Sequence, residues 1–151
     1  MQFAFDITLK NRKLLNSFIE KFPLEDLNKV PLGFNNNLIW NIAHVIVTQQ
    51  LLVYNLSGLP MMTSDAMVAK YRKGTKIEGE LTQDEVNEIK NLLFSSVEQM
   101  IIDYENGIFK SYSPYTTSTN TTMNCVEDAV KFNNFHEGIH LGYILALKKS
   151  L

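Results

Sequence analysis

Three histidines are the residues of this chain whose types and spacing best suit chemistry. His136 and His140 stand four apart in the segment His136-Glu137-Gly138-Ile139-His140. Four residues make about one helical turn, so both side chains project from one helix face. His44 lies in the only other strongly apolar helical stretch that carries a histidine. An imidazole from that neighbouring helix completes a three-nitrogen set with open coordination positions, the pattern of catalytic rather than structural metal sites. A lone buried histidine is ordinarily a core residue with a satisfied hydrogen bond. Three buried together without a ligand would strand several donors and acceptors, each costing about 1–3 kcal/mol. Divalent metal binding by His44, His136 and His140 is therefore the first expectation.

Four segments with helical periodicity have to position these rings, and none shows a strand alternation. The first is expected from Phe5 to Phe22, with Ile7, Leu14, Leu15, Phe18 and Ile19 as its apolar stripe, and it stops before Pro23. The second starts at Asn35-Asn36-Asn37 and runs to about Ser57, where Gly58 and Pro60 end it. The third opens on the capping box of Thr82 and Glu85 and carries Val86, Ile89, Leu93, Val97, Met100 and Tyr104 on one face. The fourth begins near Asn124, with Asn124 and Glu127 as a second capping box, and continues to the C-terminus. Segments 24–34 and 106–123 read as loops. Segment 58–81 is a long connection with a short helix over Ser64 to Tyr71. Connections of that length usually cross a bundle or cover a site. The expected architecture is all-α, a four-helix bundle with a long crossover between the second and third helices, in a single domain spanning 1–151.

On the fourth helix, Cys125, Ala129, Phe132, His136, His140, Tyr143 and Leu147 form one stripe, which places both histidines inward. On the second, His44 shares a mixed face with Asn37, Trp40, Asn41, Thr48, Leu51 and Asn55, as expected beside a wet cavity. His136-Glu137-x-x-His140 also matches the zinc-protease pattern, whose glutamate is a general base. That reading fails for want of a third ligand downstream, because Leu141 to Leu151 contain no Asp, Glu, His or Cys. Glu137, about 100° around the helix from His136, is expected behind the ligands or on the surface. Tyr104 and Tyr143 lie on inward stripes and are weighed as proton donors, with packing the plainer role. Cys125 sits about 16 Å along the axis from His136, too far to be a ligand.

Composition narrows the class. The chain has 151 residues, 45% hydrophobic and 20% charged, and a net charge of -2. That balance gives no reason to expect nucleic acid or an acidic membrane surface as partner. The opening residues lack the basic and apolar regions of a signal peptide, and no stretch has the length and apolarity of a membrane span. One cysteine cannot form an internal disulfide. A cytoplasmic protein is expected.

The stretch Asn37-Leu38-Ile39-Trp40-Asn41-Ile42-Ala43-His44 resembles the histidine-bearing second helix of DinB-like, or YfiT-like, proteins. Phe132 through Gly142, with Phe135-His136-Glu137-Gly138-Ile139-His140 at its centre, resembles their fourth helix more closely still. Tyr71-Arg72-Lys73-Gly74-Thr75 and Pro114-Tyr115-Thr116-Thr117-Ser118 are also similar to that group. The resemblance implies a bundle whose second and third helices are joined by a crossover, often assembled as a dimer. It places the metal ligands on His44, His136 and His140, with zinc or nickel first among the ions and iron next. It also implies a small-molecule substrate and, among characterised members, thiol-dependent transferases and isomerases that use a low-molecular-weight thiol. From residues and resemblance together, the expected function is a metal-dependent enzyme of thiol S-transferase or hydrolase type. The alternative is a non-catalytic metal-binding stress-response dimer. A homodimer face is expected on the first and second helices, where Val45, Val53 and Tyr54 exceed one core-facing stripe. No catalytic residue beyond the ligands is identified.

Overall fold

A computed structural model describes Met1 through Leu151. Four long helices carry the fold: α1 (Gln2–Lys21), α3 (Leu38–Val53), α5 (Gln83–Glu105) and α6 (Val126–Leu147). Short helices α2 (Leu24–Asn28) and α4 (Asp65–Tyr71) lie in the connections. The packing is a square in which α1 and α3 each lie against both α5 and α6. The chain is an all-α bundle with the long crossover between its second and third long helices, as expected. No helix is long and apolar enough to cross a membrane.

Local chemistry sets the ends. Asn37 caps α3 by accepting from the Trp40 amide at 2.9 Å, and Gly58 follows in the left-handed region at φ 70°. The Thr82–Glu85 capping box opens α5, with Glu85 N to Thr82 Oγ1 at 3.3 Å and Thr82 N to Glu85 Oε2 at 2.8 Å. Ser64 caps α4. The box expected at Asn124 and Glu127 does not form. The helix starts one residue later with Cys125 at the cap, Asp128 accepts from the Asn124 amide, and Glu127 turns to the Tyr104 hydroxyl.

Two expected loops hold structure. Within 24–34, Leu27 is buried and Glu25 and Asp26 suit the positive end of a short helix, α2. Within 106–123, β1 (Tyr115–Thr116) pairs antiparallel with β2 (Thr122–Met123), so a minimal hairpin exists where no strand was expected. Asn120 turns its tip at φ 60°.

In α3 every residue but Thr48 and Leu51 is buried. A helix apolar on most sides needs cover on most sides, and α1, α2, α4, α5 and α6 supply it. Val45, Val53 and Tyr54 are consequently enclosed by the chain itself and offer no dimer face. Exposed apolar side chains remain on α1, at Phe3 and Leu14, and form a row on α6 at Phe135, Ile139 and Tyr143.

The interior holds two apolar clusters. One gathers Leu15, Ile39, Ile46, Leu93 and Ile144, the other Phe5, Val53, Val97, Met100 and Val130. In sequence along the helices a polar group falls between them: Arg12 on α1, Gln49 on α3, Ser96 on α5, and Asn133 and Glu137 on α6, all buried. Arg12 and Glu137 form an ion pair at 2.7 Å with neither side chain exposed. Glu137 is therefore no surface residue. The buried residues of α6 are Val126, Ala129, Val130, Asn133, Glu137, Ile144 and Leu147, so the expected stripe holds at Ala129 and Leu147 while the rest of the buried line lies one residue around from it.

Candidate metal centre

Because α3 and α6 pack side by side, His44 meets the histidine pair. Ring centroids lie 5.1 Å apart for His44 and His136, 4.7 Å for His44 and His140, and 4.5 Å for His136 and His140. One nitrogen from each ring lies within 4.8 Å of the other two. Three residues separated by almost a hundred positions are thus brought to one point by the pairing of two helices.

The second nitrogens explain how the rings are held. The Nδ1–H of His44 donates to the Tyr71 carbonyl at 2.6 Å, at the end of α4. On its other edge Nε2 faces the Thr48 hydroxyl at 3.3 Å, and the ring stacks on Trp40 at 4.8 Å. His140 Nδ1 lies 2.9 Å from Asn41 Oδ1. Asn41 donates its own Nδ2 to the Asn37 carbonyl, which points Oδ1 at the ring. His140 therefore carries its hydrogen on Nδ1 and keeps the Nε2 lone pair free. Oxygen acceptors behind two imidazoles are the usual device for fixing the tautomer and orientation of metal-ligating histidine. His136 Nδ1 is buried and has no partner.

The electrostatics favour neutral rings. Burial pushes His136 down to about 3, helped by the charges of His140, His44, Arg12 and Lys73. Burial and His44 push His140 down to about 4. Burial also lowers His44, against the Tyr71 carbonyl, which favours its protonated form. All three are neutral at pH 7, the state in which imidazole binds a metal. The set fits a divalent ion: three neutral nitrogens converge, two of them with their back edges tied.

A cavity of about 510 Å³ opens over the triad. Trp40, Leu51, Phe132, Phe135 and Ile139 supply apolar wall. Thr48 and Asn55, both on the mixed face expected beside a cavity, line it as well. Lys73, Gly74, Tyr115, Thr117, Ser118 and Thr119 close the rim from the crossover and the hairpin. These last residues fall in or beside the two loop stretches that resemble DinB-like proteins, although nothing in their own types announced a role.

Other candidates lie elsewhere. Tyr104 donates to Glu127 at 2.9 Å and packs on Phe5, away from the cavity. Tyr143 is 37% exposed and packs edge-on against Phe34. Neither is a proton donor at this site. Cys125 caps α6 and is not among the converging groups. Glu137 faces Arg12 on α1 rather than the triad, so the protease-like general base is absent. α6 therefore serves two neighbours, Glu137 toward α1 and the histidines toward α3. Sequence reasoning missed Arg12 as the partner of Glu137, a pairing across 125 positions for which a single sequence carries no local signal.

Residues 8–144 match the DinB superfamily, and the chain belongs to that superfamily. Its histidine triad is consistent with a DinB-like, YfiT-like metalloprotein. No curated protein matches the chain in sequence.

Proposed function

We propose that His44, His136 and His140 bind a divalent ion, zinc or nickel ahead of iron, and that the chain is a metal-dependent enzyme acting on a small molecule by thiol S-transfer or hydrolysis. The observation that supports it is the neutral triad beneath a cavity of about 510 Å³, a size suited to a small ligand rather than a polymer. Held by His44, His136 and His140, a divalent ion would supply Lewis acidity, enough to lower the pKa of a water to about 7 and to ionise a thiol. The protein's own contribution is to hold the imidazoles by Tyr71 and Asn41 and to enclose a substrate between Trp40, Phe132 and the hairpin. No Asp or Glu lines the cavity, so no carboxylate base is available. Neither reaction requires one, since thiol and water would both be ionised at the metal near neutral pH.

A second reading is a non-catalytic metal-binding stress-response dimer. The exposed row of Phe135, Ile139 and Tyr143 favours assembly with a second copy. Both readings include a homodimer, and the single free cysteine supports a reducing, cytoplasmic location. The test is turnover of thiol plus electrophile, and of esters, by zinc- or nickel-loaded protein. Saturable turnover lost in His140→Ala, with an unchanged circular dichroism spectrum, supports the enzyme. A loaded protein inert to both substrate classes, with no exchangeable coordination position, supports the second reading.

A further inference from the structure

We propose that the cavity over the triad is selective by charge, with Lys73 holding an anionic group, a carboxylate, on the small molecule that enters it. This deepens the proposed function and rests on its reading of the triad as a metal centre. Of the side chains lining the cavity, Lys73 is the one with a formal charge at neutral pH once the imidazoles are neutral, and no Asp or Glu lies among them to offset it. Lys73, like most lysines of the chain, forms no ion pair with a carboxylate, so its charge is not offset within the protein.

The placement of Lys73 is tied to the site. Tyr71, two residues earlier, gives its carbonyl to His44 Nδ1 at 2.6 Å. Thr75, two residues later, donates its hydroxyl to the Lys70 and Arg72 carbonyls at 2.8 and 2.9 Å. One short turn therefore holds a ligand ring and sets the backbone position of Lys73, whose side chain is exposed at the rim. The hairpin tip adds Thr117, Ser118 and Thr119 to the lining; the Thr117 and Thr119 hydroxyls bond each other at 2.9 Å, which leaves Ser118 as the hydroxyl free to donate to an anion. The remaining walls are mostly apolar, including Leu51, Phe132 and Phe135, with Thr48 and Asn55 as the polar exceptions. The chemistry recognised is a short apolar body with a carboxylate at one end and a metal-seeking group at the other.

The experiment uses cobalt(II)-loaded protein at low salt. It is titrated with 4-mercaptobutyrate and with its neutral amide, and thiolate-to-cobalt absorption is followed. Wild type is expected to bind the acid about two- to fivefold more tightly than the amide, the range for one solvent-exposed ion pair. The preference disappears in Lys73→Gln, whose own cobalt spectrum shows that the site is intact, and it shrinks as salt is added. Equal binding of the two thiols by wild type overturns the proposal, as does a preference that survives in Lys73→Gln. Cobalt-loaded protein that binds neither thiol overturns it too. Protein that takes up no cobalt fails at the earlier step, refuting the metal reading and this inference with it.

Discussion

Replacing Glu137 with Gln should cost far more stability than an ordinary change of one charge. Its Oε1 accepts from Arg12 Nε at 3.0 Å, Arg12 Nη2 at 2.7 Å and Asn133 Nδ2 at 2.8 Å. Neither charged side chain is exposed at all. Glutamine keeps the volume but leaves the Arg12 guanidinium buried without a counter-charge, a loss of about 3–5 kcal/mol. Set against about 5–15 kcal/mol for a whole domain, that is a large share. At about 2–4 °C per kcal/mol, the melting temperature falls by roughly 6–20 °C. Arg12 Nη1 and Glu137 Oε2 lack partners, so the pair is not fully compensated even in the native protein. Arg12→Met combined with Glu137→Met should therefore recover to within about 1 kcal/mol of wild type or exceed it. Urea unfolding of the metal-free single and double variants measures both, read as a midpoint shift at constant slope. A Glu137→Gln loss below about 1 kcal/mol would refute the reasoning, because it would mean that the guanidinium does not depend on its partner.

Acid should destabilise the metal-free protein through the triad. His136 and His140 have folded values of about 3 and about 4, below their ordinary 6.5, so between those limits the unfolded chain binds more protons. Stability is thus fully present above pH 6.5 and is lost as pH falls toward 4 and then 3, with a slope near pH 5 of up to about 2.7 kcal/mol per pH unit for two groups. Thermal melts in chelator across that range check it, and His136→Ala/His140→Ala should flatten most of the slope. Asn41→Ala should weaken metal binding by about 10–100-fold while leaving all three ligands in place, because His140 Nδ1 loses its acceptor. Competition with a chromophoric chelator measures it, and an unchanged affinity would show that Asn41 does not orient the ring.

Elements governed by local rules were legible in the sequence. The Thr82–Glu85 box, a cap within Asn35-Asn36-Asn37 (Asn37 in the structure) and the α5 stripe from Val86 to Met100 follow from spacing along one helix. The triad was legible for the same reason: His136 and His140 share a turn, and His44 is the one histidine left to join them. What escaped depends on the neighbour that a helix face meets. Glu137 reads as polar, and only the approach of α1 with Arg12 turns its position into the buried line of α6. Val45, Val53 and Tyr54 look surplus on one helix until α2, α4 and the other long helices are seen to cover it. Lys73 and Thr117–Thr119 lie in loops whose course over the cavity is set by tertiary packing, which hydrophobic periodicity does not encode.

Metal content tests the central claim most directly. Protein purified without a histidine tag should carry about one zinc or nickel ion per chain by elemental analysis, and the His136→Ala/His140→Ala variant none. No metal in the wild type, even after incubation with either ion, would contradict the account and leave the three histidines as packing residues of a helical bundle.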